Sequence, residues 1–307
     1  MIPALFIQRL CSTSNIEINT LNDNIFINDA LIADTDDTTK QLTVTTQSSI
    51  QPAILLRLGV FVPNSRAIKK GSEHIIDVSE SFKSLQYSRQ EGYDDIQIRG
   101  ERLNITTDFS VWMGVIGAFS KHGLKTNKIT LPFKEFASLC NYESRQLNHR
   151  LRSVVFDSLA KLGTKVVQFQ RKDGSKSFFT HLLKTAQMDR EEDTITLEAD
   201  PHLWELYVID YKILLRKHPY NELRGKEVAQ TLYTYIASLP DGFAPISFKR
   251  IRERLLLTSA VFEQNRLIKS ALKALAEIGY IEYSVTKEGK ENTLHVHKRN
   301  KKLKALV

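Results

Sequence analysis

Two cysteines in 307 residues, Cys11 and Cys140, are too few and too far apart for a disulfide framework or a thiolate metal site. Their scarcity suits a reducing, cytoplasmic compartment. No apolar run is long enough to span a bilayer; the longest, around ILLRLGVFV, is short and carries Arg57. The N-terminus has no basic region followed by a cleavage-like site, so no signal peptide is read. A phosphate loop of Walker type is missing as well, because Arg224-Gly225-Lys226 lacks the upstream glycine and the following Ser or Thr. Negative charge is scarce in two places. Residues 124–188 hold 12 Lys+Arg against 4 Asp+Glu, and residues 244–307 hold 14 against 6. Residues 1–50 run the other way, with two basic and six acidic side chains, so the net charge of +8 hides two strongly cationic stretches. Paired cationic modules point to a polyanion as partner, nucleic acid foremost.

Those two stretches also echo each other. LAKLGTKVVQFQRKDGSK, Leu159 to Lys176, is matched 116 positions later by LAEIGYIEYSVTKEGK, Leu275 to Lys290. LPFK at Leu131–Lys134 is likewise matched by ISFK at Ile246–Lys249. Before each echo lies a helical stripe. Phe109, Trp112, Met113, Ile116 and Phe119 follow helical spacing, with Thr107 or Asp108 as cap. NKITL reads as a strand and PFKEFASLC as a short helix. A longer helix follows, capped by Ser144, striped by Leu147, Leu151, Val154, Val155, Leu159 and Leu162, and stopped at Gly163. The segment VVQFQRKDGSKSFFTHLL then reads as a hairpin about Asp173-Gly174. The second pass repeats this order. Val228, Leu232, Tyr235, Ile236 and Leu239 stripe the first helix, APIS is the strand and FKRIRERLLL the second helix. Thr258 or Ser259 caps a third helix with Val261, Ile268, Ala271, Leu272, Leu275 and Ile278 inward. Gly279 stops it before a hairpin that turns near Glu288-Gly289. Helix, strand, helix, helix, hairpin is the winged-helix order. The chain therefore reads as α+β, two tandem winged helices related by a pseudo-repeat. Residues 1–50 read as an acidic, disordered extension, 51–218 as the first winged-helix domain and 219–307 as the second.

A third helix that enters the major groove carries donors for base edges and phosphates on its outward face. In the second copy that face is Asn265, Arg266, Lys269 and Lys273. Arg266 and Asn265 suit guanine and adenine edges, while Lys269, Lys273 and the preceding Lys249, Arg250, Arg252 and Arg254 suit phosphates. In the first copy the same face offers Arg145, Gln146, Asn148, His149 and Arg152. Lys287, Lys290, Lys298 and Arg299 flank the second wing, and Arg171, Lys172 and Lys176 the first. The basic tail KRNKKLK either extends that contact or is a solvated end. His295-Val296-His297 fits the His-hydrophobic-His metal pattern of rolling-circle nickases. No tyrosine follows it and no third ligand is evident, so an amphipathic wing strand is the simpler account. No catalytic residue, metal or cofactor is read.

The segments QPAILLRLGVFVP, LPFKEFASLC, ADPHLWELY, AQTLYTYIASLP and IKSALKALAEIGYIEY resemble, in order and spacing, those of RepFIB-type RepA proteins, initiators of iteron-controlled plasmid replication. The resemblance runs from about Gln51 to the C-terminus. It implies a bacterial, plasmid-associated DNA-binding protein that is not an enzyme. It also implies that the second domain dominates recognition of directly repeated origin iterons. The first would add backbone contacts and dimerisation, with monomers on iterons and dimers repressing their own operator. Host initiator, helicase and chaperones are the further partners implied, and no membrane. A dedicated transcriptional repressor on the same scaffold, and more remotely a nicking enzyme, are the competing readings. The apolar segment Ile54–Val62 has no counterpart in the second copy, which places a dimer contact there or on the adjacent hairpin; completion of the first core is the alternative.

Overall fold

The stripe Phe109, Trp112, Met113, Ile116 and Phe119 is wholly buried, and the helix that carries it organises the N-terminal half. The computed structural model describes residues 47–64, 76–77, 93–122, 127–171, 173, 175, 177–209, 212–289, 291–301 and 303. The expected acidic extension lies outside them except for its last residues, which are ordered. Strand β1 (Ser48–Pro52) is held by β11 (Lys212–Arg216), pairing Ile50 with Leu214. Then come α1 (Ala53–Arg57), β2 (Phe61–Val62), β3 (Ile76–Asp77), β4 (Tyr93–Arg99) and β5 (Leu103–Asn104). The first unit proper follows as α2 (Asp108–His122), β6 (Lys128–Pro132), α3 (Phe133–Leu139), a 3₁₀ turn at Ser144–Gln146 and α4 (His149–Thr164). Strands β7 (Val166–Arg171), β8 (Ser177–His181), β9 (Thr185–Asp189) and β10 (Thr194–Glu198) come next, then α5 (Leu206–Ile209) and β11. Helix α6 (Lys217–Glu222) leads into α7 (Glu227–Ala237), β12 (Ile246–Ser247), α8 (Phe248–Leu255), α9 (Val261–Glu277), β13 (Ile281–Glu288) and β14 (Glu291–Arg299). The element order expected of both copies is present.

The two copies close their sheets differently. In the second, β12 pairs with β14 and β14 with β13, so the hairpin after α9 completes a three-stranded sheet. In the first, the hairpin about Asp173-Gly174 is present, but its strands join a separate sheet of order β3-β4-β7-β8. Strand β6 is instead covered by β10, pairing Leu131 with Ile195, and β10 by β9. By topology the wing of the first copy is β9–β10, and β7–β8 is an insertion ahead of it. This corrects the assignment of Arg171, at the end of β7, to a wing; Lys172 and Lys176 lie outside the described residues. Strand β10, within the segment DTITLEADPHLWELY expected merely to close the domain, is the wing's inner strand, lying between β6 and β9.

Helix ends also differ from expectation. Asp108, fully buried, turns its carboxylate away from capping: it accepts from the Asn104 backbone N–H at 2.7 Å and the Ser158 hydroxyl at 2.6 Å. Ser144 opens only the 3₁₀ turn, and Asn148 caps α4 by accepting from Leu151 N at 2.9 Å. Helix α4 runs one residue past Gly163, to Thr164. Ala260, not Thr258 or Ser259, occupies the cap position of α9, and Gln264 reaches back instead to the carbonyls of Leu257 (3.1 Å) and Ser259.

The segment Ile54–Val62 is not available as a dimer surface, since Ile54, Leu55, Leu56, Val60, Phe61 and Val62 are all buried. It lies between the first unit and α7. Arg57 forks onto the Ser238 carbonyl at 2.9 and 2.8 Å, and Arg254 donates to the Leu56 carbonyl. Asn104 and Asn64 bind the Glu227 carboxylate, and Thr106 donates to Gln230 at 2.8 Å. The apolar run thus completes a core that is continuous between the units.

Lys165 sits at the end of α4, 1 % exposed, donating to the Gly100 carbonyl at 3.1 Å. Burial, more than the opposing pull of Glu101 and Asp108, lowers its pKa from 10.5 to about 8. The unfolded chain binds that proton more tightly, so stability rises as pH climbs from 8 towards 10.5. Above about 10 the buried tyrosines oppose this, because burial raises Tyr142 to about 12 and unfolding releases its proton. Unfolding free energy should therefore increase by about 1 kcal/mol or more between pH 7.5 and 9.5. Lys165→Met should flatten that increase in chemical denaturation; an unchanged slope would show that Lys165 does not titrate there.

Candidate nucleic-acid interface

Helix α8 is held at its start by Ser247, whose hydroxyl accepts from Arg250 N at 3.2 Å. It buries Phe248, Ile251 and Leu255, which leaves Lys249 and Arg250 exposed. The chain turns through Leu256 in the left-handed region (φ 49°), and the buried Gln264 clamps that turn. Helix α9 then buries Ile268, Ala271, Leu272 and Leu275 and turns Phe262, Arg266, Lys269 and Lys273 to solvent. These four follow i, i+4, i+7 and i+11 and form one stripe.

Adjacent arginines on α8 do different work. Arg252, its side chain 12 % exposed, donates to Asn265 Oδ1 at 2.7 Å and forks onto Glu291 at 3.0 and 3.2 Å. It ties α8 to α9 and β14, and holds the Glu291 carboxyl below its usual range. Arg254 is buried between the units with its guanidinium 5.4 Å over the Tyr235 ring, and burial draws its pKa down to about 10. Expected as phosphate contacts, both are corrected to internal braces: Arg252 spends its donors on Asn265 and Glu291, and Arg254 has its guanidinium buried and donating to the Leu56 carbonyl. Asn265 keeps a partly exposed amide, oriented by Arg252. Arg266 pairs with Glu263 at 2.5 Å and Lys273 with Glu277 at 3.7 Å, both in solvent. Such exposed pairs are weak, so the cations can exchange carboxylate for phosphate.

On the wing, Lys287 is exposed and Lys298 pairs with Glu282 at 2.9 Å. Arg299 is spent internally on the carbonyls of Ile236, Leu239 and Pro240 and on Asp241. In the tail, Lys301 also binds Asp241, at 2.6 Å. Lys172, Lys176 and Lys290, and the side chain of Arg171, fall outside the described residues. His295 and His297 point to one face, but Thr286 and Ser284 across the hairpin each engage one of them at 2.8 Å. Among the described residues no cluster of His, Cys, Asp or Glu could hold a metal ion. No described helix is long and apolar enough to cross a membrane.

The first unit presents a sparser face. Arg145 is exposed and pairs with Glu143 at 2.5 Å, and His149 meets Arg190 at 2.8 Å. Gln146 closes a capping box with Glu143, and Asn148 is occupied as a cap. Arg152 lies 4.7 Å over the Phe133 ring and donates twice to Asp193 Oδ1, at 3.0 and 2.8 Å. That pins α4 to the β9–β10 turn, so Arg152 too is corrected from contact to brace. Three exposed residues were missed. Arg150 sits one position past His149 on α4, and Arg190 is brought beside α4 by the β9–β10 wing. The third is Phe262, exposed beside Val261, which was expected to face inward and is instead 57 % exposed.

The family model described as "Initiator Replication protein, WH1" matches residues 110–237, from α2 through α7. An Escherichia coli "Replication protein RepA" is 48 % identical over 280 residues, covering 91 % of this chain and 98 % of that protein. An Escherichia coli "RepFIB replication protein A" is 40 % identical over 269 residues, covering 86 % of this chain and 83 % of that one. Among solved structures, domains 2 and 3 of RctB align with 81 % of this chain at 12 % identity and a TM-score of 0.48. The fold and its exposed cationic helix define a winged-helix DNA-binding protein of the initiator class. The chain belongs to the RepFIB-type RepA family of plasmid replication initiators.

Proposed function

We propose that this initiator binds directly repeated origin sequences as duplex DNA, with α9 in the major groove and Lys249, Arg250, Lys269 and Lys287 on the flanking phosphates. The observation that carries the reading is the α8–α9 face itself. Its cations are exposed while the opposite face and the intervening turn are fixed by burial and by the Arg252 and Gln264 braces. The division follows the same contrast: residues 219–307 read sequence, and residues 51–218 add backbone contacts through α4 and support pairing of two copies. A monomer carrying two units in one direction suits a direct repeat, and a two-fold dimer suits an inverted operator. Autorepression and recruitment of host replication proteins would follow from these two states.

Footprinting the full chain on the DNA flanking its gene tests this. Protection of an array of direct repeats is expected, with affinity falling at a log–log salt slope steeper than about −3. A lone protected palindrome would favour a dedicated repressor. A slope shallower than about −3 would remove the cationic faces from backbone contact.

A further inference from the structure

Phe262 is 80 % exposed, more than any other large apolar side chain among the described residues, and its neighbour Val261 is 57 % exposed; Phe179 (59 %) and Phe156 (41 %) are the others exposed. Phe262 stands in the first turn of α9, four positions before Arg266 and at the head of the stripe that continues through Lys269 and Lys273. Nothing in the fold requires it there. The core face of α9 is filled by Ile268, Ala271, Leu272 and Leu275, and the first turn's buried position is taken by Gln264. The three residues before Val261, Thr258 to Ala260, are small and exposed, so no bulky side chain shields the ring from an approaching surface. The ring projects from a fixed base, because Gln264 ties the turn and Arg252 ties α9 to α8 and β14. Cations share its helix and the neighbouring one: Arg266, paired with Glu263 in the same turn, and Lys269 on α9, and the exposed Lys249 and Arg250 on α8. An apolar protein surface would gain little from docking on a helix face that continues through Arg266, Lys269 and Lys273. A polyanion with an apolar group recessed between its charges would gain from both.

Duplex DNA offers one such group in the major groove, the C5-methyl of thymine, and the first turn of an inserted helix lies nearest the base edges. We infer that Phe262 is a specificity-determining residue that packs on a thymine methyl of the recognised repeat, beside the base edge that Arg266 contacts. This rests on the reading of α9 as the groove-entering helix. It adds a term that hydrogen-bond donors cannot supply, since a methyl group is read only by apolar contact.

The test uses the full chain and a duplex carrying one footprinted repeat. Each thymine is replaced in turn by uracil, which lacks only the methyl. Wild-type protein should lose roughly 3–10-fold in affinity at one position, the scale of one apolar contact removed. Phe262→Ala should bind the unmodified repeat correspondingly more weakly, become indifferent to that uracil, and keep its affinity for random duplex, having lost no charge. Phe262→Leu should retain part of the discrimination. The side chain is exposed, so unaltered thermal unfolding of both variants serves as the folding check. If no uracil weakens the wild type, or if Phe262→Ala still discriminates, the assignment of Phe262 is overturned while the groove reading stands. If the charge variants Lys249→Ala and Lys269→Ala also leave repeat binding intact, the groove reading itself fails.

Discussion

Replacing Lys249, Arg250 and Lys269 together by alanine should lower affinity for duplex DNA by roughly 10²–10³-fold at 0.1 M salt, while the protein stays folded. All three side chains are exposed, and Lys249 meets the Glu291 carboxylate through its backbone N–H rather than its ammonium. Each neutralised phosphate contributes about 0.9 to the salt slope, so removing three flattens the slope by about 2.7. At 0.1 M that change in slope corresponds to between two and three orders of magnitude. Stability should move little, because exposed surface charges seldom matter by more than about 0.5 kcal/mol. Arg252→Ala gives the opposite pattern. It removes a brace rather than a phosphate contact, leaving Asn265 and Glu291 without their donor. Its cost is about 1–3 kcal/mol of stability, limited because Glu291 remains about a third exposed. Its salt slope should match the wild type's, with preference for the cognate repeat weakened as Asn265 loses its orientation. Anisotropy titrations of labelled random and cognate duplex from 50 to 300 mM salt separate the cases. If Arg252→Ala flattens the slope as much as Arg250→Ala does, the guanidinium reaches DNA after all.

That contrast marks where the sequence was legible and where it was not. Periodicity exposed the architecture, because burial imposes it residue by residue: every member of the Phe109–Phe119 stripe is buried, and so are Ile268, Leu272 and Leu275. Charge gives no such local record. Arg250, Arg252 and Arg254 are alike in the sequence, yet one faces solvent, one crosses to β14 and one lies under α1. What distinguishes Arg254 is a carbonyl 198 residues away, which no window of the sequence contains. The first wing was misplaced for the same reason. Both copies have a hairpin after the third helix, and only long-range pairing shows that β6 takes β10 as partner. Ile54–Val62 is apolar enough for a dimer surface or for a core, and its fate was decided by α7 lying across it. Val261 failed in the opposite direction, an apolar residue read as inward on α9 that the fold leaves 57 % exposed.

Gly100→Ala should be among the most destabilising single substitutions in the N-terminal half, at about 4 kcal/mol. Gly100 follows β4 with φ +109°, and a Cβ there would stand 2.3 Å from the Thr164 carbonyl oxygen and 2.9 Å from its carbon. Both are backbone atoms at the end of α4, so no rotamer change can relieve the clash. The end of α4 cannot easily retreat. Lys165 N is bonded to the Leu162 carbonyl, Leu182 N to the Lys165 carbonyl, and Arg99 is in register with Val166 across β4–β7. The buried Lys165 ammonium also depends on the Gly100 carbonyl, so displacing the glycine strands a charge. Gly225 isolates the contribution of backbone conformation. Its φ is +80°, but nothing lies within 4 Å of its notional Cβ, so Gly225→Ala should cost only about 1 kcal/mol, the ordinary penalty for an alanine at positive φ. For a chain of this size the two costs translate to Tm losses of roughly 6 °C and 1.5 °C. Parallel thermal melts decide the matter: equal losses would mean that α4 and β4 can part without cost, and that the third helix of the first unit is not fixed by this contact.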